Sequence, residues 1–166
     1  MITQTELKEK LYYNPDTGEF IWKISTGRSK IGSVAGTKYN PKYPDAATLI
    51  RIDNKCYNAH RLVWLYMTGH WPEKHIDHID HNPHNNKWNN LRAADVYQNL
   101  ANKKKHSNNK SGYKGVYWCN VKKKYISEIC HHYKKLYLGS FDNAIDAHNA
   151  YCVAANKLKG DFACSG

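Results

Sequence analysis

The amino-acid sequence predicts an α+β fold built from short strands, a few helices and many turns. Short runs rich in Val, Ile, Tyr and Trp are separated by Asn, Asp, Gly and Pro, as at Asn14–Gly18. Apolar residues recur at helical spacing in two longer stretches, at about 58–67 and 144–158. A chain of 166 residues without an internal repeat suits one medium domain or two small ones.

The first 57 residues predict a β-rich segment that opens with one short helix. We expect this helix at residues 5–11, with Thr3 or Thr5 as its N-cap. The turn signals that follow predict three further features. They are a strand at 19–23, an exposed basic loop at 27–44, and a hairpin formed by 47–52 and 56–59.

The central segment, residues 58–102, predicts two helices on either side of a polar stretch. The first helix has apolar residues at 62–67, and Gly69 is expected to end it in a left-handed conformation. A stretch rich in His, Asn and Asp follows and has little core-forming character. The second helix is expected at 95–101, with Asp95 close to its start.

The C-terminal segment, residues 113–166, follows a polar basic tract at 103–112 that is typical of a linker. Short apolar runs predict three strands, at 115–118, 124–130 and 136–141. An Ala-rich stretch at 144–158 predicts a helix. We expect a three-stranded antiparallel sheet packed on this helix, which is enough to bury one sheet face.

The charge of the chain indicates a polyanionic partner. Lys and Arg outnumber Asp and Glu by 25 to 14, which gives a formal net charge of +11. Nucleic acid is the commonest partner of so basic a surface, although charge can also serve solubility alone. The longest apolar run, Leu62–Met67, is too short to span a membrane, and the N-terminus has no signal-peptide pattern. We therefore expect a cytoplasmic protein without a membrane partner.

The five cysteines are scattered along the chain and are odd in number. They are Cys56, Cys119, Cys130, Cys152 and Cys164. Because no Cys-x-x-Cys pair is present, neither a disulfide framework nor a cysteine zinc site is expected. These residues are interpreted as free thiols.

Asp77, His78, Asn90 and Asn99 form the most informative pattern in the sequence. Asn90 lies 12 positions after His78, and Asn99 lies 21 positions after it. This spacing resembles that of the HNH nucleases, particularly the phage and intron-encoded homing endonucleases, whose third motif position is Asn. Taken singly, these residues would fit solvated turn, capping or Asx-turn positions, and only their joint spacing favours a nuclease.

The resemblance continues through Ile76–Asp80 and Asn85–Arg92. It implies the ββα-metal fold of that family, in which two strands and a helix surround one divalent metal. Here the strands would be 76–79 and 89–92, and the helix would be 95–101.

The residue types fit the chemistry of phosphodiester hydrolysis. His78 is the candidate general base, because a neutral imidazole can accept a proton from water near neutral pH. Asp77 and Asn99 offer hard oxygen ligands, which suit Mg²⁺ or Mn²⁺. By resemblance, Asn90 braces the loop and orients His78.

Neighbouring histidines leave a zinc alternative open. His75, His78, His81 and His84 recur at every third residue, but Asn82-Pro83 prevents a regular helix face there. Zinc is therefore the less expected metal. His81 occupies a position where the family usually has a small turn residue, often Gly.

Upstream, Tyr57–Trp64 resembles the helix start that precedes the nuclease core in phage proteins of this family. His60 and Arg61 are therefore candidates for contact with the phosphate backbone. An ordinary helix start, with Trp64 in the core, explains the same residues equally well.

Three short stretches of the C-terminal segment form a further pattern with the helix at 144–155, namely Tyr113–Val116, Glu128–Ile129 and Tyr137–Phe141. This pattern resembles the plant ethylene-response-factor (AP-two) DNA-binding domain. It implies a sheet that enters the major groove, as the width of that groove allows. The family's contact positions transfer to five residues, and two lysines of the first hairpin loop are assigned to phosphate. The five are Lys114, Tyr117, Glu128, Lys135 and Tyr137, and the two are Lys122 and Lys124.

This segment also departs from the plant pattern, because no Arg follows Arg92. Arg presents a bidentate fork to guanine, whereas Lys acts mostly as a point charge. The module is therefore expected to position the chain on DNA more than to select a sequence. A structural role in the small core is the alternative for its aromatic residues, and it is favoured for Tyr125 and Tyr151.

Together these features predict a phage-encoded HNH endonuclease that acts on double-stranded DNA in the cytoplasm of a bacterial host. No small-molecule cofactor is expected beyond the divalent metal. One metal centre per chain predicts that a monomer nicks DNA, and a double-strand break would need a homodimer or two successive events. The alternative is a DNA-binding regulator that keeps the scaffold without cleavage.

Overall fold

The computed structural model describes residues 1–27, 29–37, 40–102, 105 and 108–163. The chain divides into two compact units, Met1–Ala94 and Asp95–Gly166. The boundary falls inside the predicted nuclease segment, and the division into 1–57, 58–102, 103–112 and 113–166 stays a prediction. Lys103, Lys104, His106 and Ser107 of the predicted linker and Cys164 lie outside the described residues.

The described residues form a mixed α and β fold with four α-helices and several small antiparallel sheets. In the first unit the elements before residue 59 are a helix and two groups of strands. They are α1 (Gln4–Lys10), β1 (Leu11–Asn14), β2 (Glu19–Trp22), β3 (Val34–Ala35), β4 (Leu49–Ile52) and β5 (Lys55–Asn58). Strands β1, β2 and β3 form one sheet in that order, and β4 pairs with β5.

A capping box explains the start of α1. The hydroxyl of Thr3 accepts from the backbone N–H of Glu6, and the Glu6 carboxylate accepts from the backbone N–H of Thr3. The end of the helix differs from the prediction, because Leu11 leaves it and begins β1. Leu11 and Tyr13 alternate inward on this strand, with a period of two in a region where the sequence pattern predicts helix and turn.

The hairpin of β4 and β5 turns at Asp53 and Asn54, which have φ angles of 48° and 63°. Two positive φ values are what a tight hairpin turn of matching twist requires. The remaining elements of the first unit are α2 (Ala59–Thr68), β6 (His75–His78), a 3₁₀ turn (Trp88–Asn90) and β7 (Leu91–Ala94). Gly69 ends α2 with a φ of 85° and donates to the carbonyl of Leu65, as predicted.

The first unit has one core, to which both the N-terminal elements and α2 contribute. Leu7, Leu11, Phe20 and Leu62 are at most 1 % exposed. The rings of Tyr13 and Phe20 lie 5.0 Å apart, and both contact the ring of Tyr66 on α2. Strands β6 and β7 join this core through Ile76 and Leu91.

The second unit begins with α3 (Val96–Asn102), followed by β8 (Val116–Cys119), β9 (Lys124–His131), β10 (Lys134–Phe141), α4 (Ala144–Lys159) and a 3₁₀ turn (Gly160–Phe162). The sheet order is β10-β9-β8, and every pair is antiparallel. A reciprocal pair of hydrogen bonds between Asp95 and Gln98 caps α3. The three predicted strands and the helix of this unit are thus present, with ends shifted by up to two residues.

The core of the second unit is small, and it depends on a glycine. Ile129 of β9 packs against Tyr151 and Ala155 of α4. Gly115 has a φ of 74°, and a Cβ placed there would lie 2.0 Å from a ring carbon of Tyr151. Tyr151 therefore occupies a core position, as favoured above, whereas Tyr125 is only partly buried.

No helix among the described residues is long and apolar enough to cross a membrane.

Candidate active site

Strand β6 places Asp77 and His78 side by side in sequence and on opposite faces of a two-stranded sheet. Asp77 lies opposite Arg92 of β7, and His78 lies opposite Leu91. Asp77 is 7 % exposed, whereas His78 is half-buried. The two residues with the central predicted roles are thus fixed by regular backbone hydrogen bonds.

Arg92 holds the carboxylate of Asp77. The Nε and Nη2 atoms of Arg92 each lie 3.0 Å from Oδ2 of Asp77. A buried carboxylate needs such a counter-charge, because desolvation of an isolated ion is costly. Sequence reasoning assigned no role to Arg92, although the predicted pairing of 76–79 with 89–92 would have placed it close to Asp77.

Asn86 contacts the ring of His78. Its Oδ1 lies 3.1 Å from Nε2 of His78, and its Nδ2 donates to the carbonyl of His84. Asn86 is only 3 % exposed. Sequence reasoning missed this residue, because it is one of several Asn in a polar stretch.

His60, at the start of α2, packs edge-on against His78. The ring centroids lie 5.3 Å apart with an interplanar angle of 82°. Nδ1 of His60 is buried and has no hydrogen-bond partner among the described residues. Burial first, and then the charges of His78 and Arg61, lower the pKa of His60 to about 4. The predicted contact between His60 and phosphate would therefore involve an uncharged imidazole at neutral pH.

Asn90 is the centre of the loop that joins β6 to β7. Its Oδ1 accepts from the backbone N–H of Asp80, and its Nδ2 donates to Asp80 Oδ1 and to the carbonyl of Asn85. Burial alone would raise the pKa of Asp80. Hydrogen bonds from the backbone of Asn82 and from the side-chain amides of Asn85 and Asn90 outweigh burial, so this pKa is lowered. Asn90 thus contacts the loop, whereas Asn86 provides a hydrogen bond to the ring of His78.

His81 adopts a left-handed conformation with a φ of 61°. Its backbone N–H donates to the carbonyl of His78, which closes a tight turn after β6. This conformation is costly for residues with a Cβ and free of that cost for glycine. The usual glycine of the family at this position therefore has a physical reason, and this chain departs from it.

Asn99, the second predicted metal ligand, lies on α3 and belongs to the second unit. Its backbone N–H donates to the carbonyl of Asp95 within the first turn of the helix. The first unit therefore supplies Asp77, His78 and Asn90 of the predicted constellation. The role of Asn99 as a ligand stays a prediction.

Asp77 is the predicted metal ligand that lies in the first unit. Among the described residues, no group of three or more His, Cys, Asp or Glu side chains is placed to hold a metal ion. The carboxylate of Asp77 is a hard oxygen ligand of the kind that Mg²⁺ and Mn²⁺ prefer. A cation held by few protein ligands keeps coordination sites for water and phosphate oxygens.

In the second unit, four predicted DNA contacts share the sheet face that points away from α4. The register pairs Tyr137 with Glu128, and Tyr117 with the neighbouring Ile126. Because alternate residues of a strand share a face, Lys135 joins Tyr137 there. The hydroxyl of Tyr117 donates to Glu128 at 3.0 Å. Tyr117 and Tyr137 are 46 % and 55 % exposed, so this face offers aromatic surface to a partner.

The other predicted contacts have partners of their own. Lys122 lies over the ring of Tyr137 at 5.3 Å, and Lys124 pairs with Asp142 at 3.0 Å. Lys114 donates to the carbonyl of Ala101 at the end of α3. In the first unit, Arg61 donates to the carbonyl of Pro72 and lies over the ring of Trp71.

Comparison with known protein families identifies a match for the residues from the end of β5 to α3. Residues 57–101 match the family model for HNH endonucleases, a stretch that begins at the end of β5 and includes Asp77, His78, Asn90 and Asn99. No curated protein and no solved structure matches the chain significantly. The match supports an HNH nuclease domain, and such a domain indicates a nuclease that acts on DNA.

Proposed function

We propose that this chain is a metal-dependent endonuclease of the homing HNH type that hydrolyses phosphodiester bonds in double-stranded DNA. The proposal depends on one observation, which is that the fixed side chains lie within the residues of the family match. The residues that match the HNH family contain a strand on which Asp77 is held by Arg92 and His78 by Asn86. A carboxylate and an imidazole fixed in this way are the two groups that such hydrolysis requires first.

His78 acts as the general base. An imidazole that is neutral near pH 7 accepts a proton from the attacking water. Its contacts with Asn86 and His60 restrict the ring to one orientation. Asn90 supports the reaction indirectly, because its three hydrogen bonds fix the loop that begins immediately after His78.

Asp77 and Asn99 would hold the divalent metal, and their oxygen ligands suit Mg²⁺ or Mn²⁺ better than Zn²⁺. The cation would supply charge neutralisation at the scissile phosphate and stabilisation of the leaving 3′ oxygen. Arg92 fixes the orientation of the Asp77 carboxylate through two contacts to Oδ2. The products expected from this chemistry carry 5′-phosphate and 3′-hydroxyl ends.

The sheet of the second unit anchors the chain on DNA in the manner of an AP-two domain. Its exposed face carries Tyr117, Lys135 and Tyr137, and the hairpin loop beside it carries Lys122. Lys124 was predicted in that loop, but it is the first residue of β9, where it pairs with Cys119. Lysines provide charge for phosphate contacts but little discrimination between bases. Together with the net charge of +11, this surface implies strongly salt-dependent binding.

The protein is phage-encoded and acts in the bacterial cytoplasm. A monomer is expected to nick one strand, and a double-strand break would need a homodimer or two successive events.

A nicking assay tests the proposal. Supercoiled plasmid is incubated with the protein and Mg²⁺, Mn²⁺ or a chelator, and the relaxed and linear forms are separated on a gel. Cleavage is expected with either metal and not with the chelator. The variant His78→Ala should lose it by a factor of about 10²–10⁴, the usual contribution of a general base. His70→Ala, which removes an exposed imidazole after α2, serves as the matched control.

A gel shift of the same samples separates the two candidate functions. Retarded DNA without any relaxed or linear product, under both metals, would favour the DNA-binding regulator and overturn the nuclease. Equal cleavage by His78→Ala and the control would remove His78 as the base.

A further inference from the structure

We propose that Asn86 is a positioning residue for His78 and that the hairpin of β1 and β2 holds Asn86 in place. The inference rests on the proposed function, in which His78 is the general base. It concerns how a segment that precedes the matched residues 57–101 acts on that base.

The contacts of Asn86 define which nitrogen of His78 carries the proton. Nδ2 of Asn86 donates to the carbonyl of His84, so Oδ1 is the atom that faces His78. An amide oxygen can only accept a hydrogen bond, and at 3.1 Å it accepts from an N–H on Nε2. The neutral ring then has its lone pair on Nδ1, which is therefore the nitrogen that can take a proton from water.

The backbone of Asn86 is held from the other side by Tyr13 of β1. The Tyr13 hydroxyl donates to the Asn86 carbonyl at 2.7 Å, and Tyr13 is 2 % exposed. Burial raises the pKa of Tyr13 to about 12, so this phenol remains a donor throughout the neutral range. The packing of Tyr13 against Phe20 and Tyr66 fixes where that hydroxyl points.

The turn between β1 and β2 lies directly against the same backbone. Gly18 has a φ of 78°, and a Cβ placed there would lie 2.6 Å from Lys87 N and 2.7 Å from the Asn86 carbonyl carbon. Pro15 adds a further contact, because its carbonyl accepts from the backbone N–H of Trp88. Three successive residues of the loop are thus in contact with one N-terminal hairpin.

Most of this support comes from residues outside the family match. Tyr13, Pro15 and Gly18 all precede residue 57, whereas Asn86 and His78 lie within the match. The arrangement runs from the hairpin to the Asn86 backbone, and then from the Asn86 side chain to the His78 ring. It provides a specific role for the N-terminal β-rich segment in the chemistry.

The first test reads the proton on His78 directly. The full-length chain is labelled with ¹⁵N in its imidazoles, and the His78 signals are identified by their loss in His78→Ala. We expect a protonated Nε2 whose hydrogen exchanges slowly with water, and an unprotonated Nδ1. Asn86→Ala should lose the slow exchange, whereas Asn89→Ala, which removes an exposed amide three residues later, should keep it. A proton on Nδ1 in the unmodified protein, or an unchanged signal in Asn86→Ala, would overturn the inference.

The second test reaches His78 from the hairpin. Tyr13→Phe removes one buried hydroxyl, and its control Tyr12→Phe changes a neighbouring tyrosine that is 49 % exposed. Gly18→Ala creates the collision, and its control Gly32→Ala has the same backbone strain at a φ of 79° but no neighbour within 4 Å. Both test variants should speed exchange of the Nε2 hydrogen, and both controls should not. Thermal unfolding measured by circular dichroism ensures that only folded variants are compared, and equal exchange in a folded test variant and its control would overturn the role of the hairpin.

Cleavage kinetics test the positioning role of Asn86 separately from the proposed function. We expect kcat of Asn86→Ala to fall about tenfold, as for other residues that orient a catalytic group, with DNA affinity unchanged. Asn86→Asp keeps an acceptor for Nε2 but loses the donation to the His84 carbonyl, so its loss should be smaller than that of Asn86→Ala. If the spectra behave as expected but no protein cleaves DNA, the nuclease proposal fails while the contact with His78 stands. If cleavage by Asn86→Ala matches that of the unmodified protein, the positioning role is wrong and the nuclease proposal is unaffected.

Discussion

The two units of the chain place polar residues in opposite ways. In the first unit polar side chains are turned inward. Asp77, Asn86 and Asn90 are each less than 10 % exposed, and each makes a hydrogen bond to another side chain of the site. In the second unit the lysines and tyrosines of the sheet face outward, over a core of very few buried residues. The difference suggests that the first unit is organised to fix side chains for chemistry and the second to present a surface.

The largest expected effect breaks the buried ion pair of the first unit. Arg92→Ala leaves the Asp77 carboxylate buried without this partner, and we expect it to lower the free energy of unfolding by about 3–5 kcal/mol. Lys10→Ala removes an exposed ion pair of the same 3.0 Å length, with Asp53, and should cost about 1 kcal/mol or less. Denaturation in urea measures both free energies of unfolding. Similar losses for the two variants would contradict a larger contribution from the buried ion pair of Asp77 and Arg92.

The next largest effect is the pH dependence of stability that results from the buried ring of His60 in the same unit. The pKa of His60 is lowered from 6.5 to about 4, so the unfolded chain binds a proton at higher pH than the folded one. Stability contributed by the neutral ring is therefore complete above pH 6.5 and is lost as the pH falls towards 4, by about 3 kcal/mol in total. His60→Gln should flatten the stability profile in this window, whereas His70→Gln, at an exposed site, should leave it steep. A profile for His60→Gln as steep as that of the unmodified protein would contradict burial of the neutral His60 ring as the cause.

A comparable loss is expected from the core of the second unit. Gly115→Ala forces a methyl group into the ring of Tyr151 and should cost about 2–3 kcal/mol, from overpacking together with backbone strain. Gly112→Ala has a similar φ of 80° but open space around it, and it should cost about 1 kcal/mol from strain alone. Thermal unfolding measures the stability of both variants. Because the backbone strain is similar at the two positions, the difference in stability reports the collision with Tyr151. Equal losses would mean that Tyr151 can move aside.

The smallest expected effect is on DNA binding by the outward face. Lys135→Ala should weaken binding by about threefold to tenfold and reduce the slope of log affinity against log salt by about one. Lys157→Ala removes an exposed lysine on α4, behind the sheet, and should change neither. Affinity measured at several salt concentrations distinguishes them. Matching slopes for the two variants would end the case for this face as the anchor.

Local signals predicted much of the fold from the sequence. Gly69 ends α2 because a left-handed residue is needed there, and the spacing of short apolar runs placed the three strands of the second unit. β1 was missed, because its period of two spans only four residues between a helix and a turn. A pattern that short cannot outweigh the helical character of the residues before it.

The candidate site was predictable only in part for a related reason. Spacing singled out Asp77, His78 and Asn90, and the predicted strand pairing would also have placed Arg92 close to Asp77. The contact of Asn86 with His78 depends instead on the path of the loop, which Tyr13 helps to fix. Tyr13 and Asn86 are separated by 73 positions, and no local pattern connects them. Physical partners of this kind become visible only when the chain is folded.

The shared core of the first unit limits how the residues of the family match can be transplanted. Leu62 and Leu65 of α2 are at most 2 % exposed, and they belong to the same buried cluster as Leu7 and Phe20 from the N-terminal elements. A fragment cut at the borders of the family match would carry a bare apolar helix face into water and tend to aggregate. Chimeras that borrow the matched residues 57–101 should therefore also include α1 and the strands that precede residue 57.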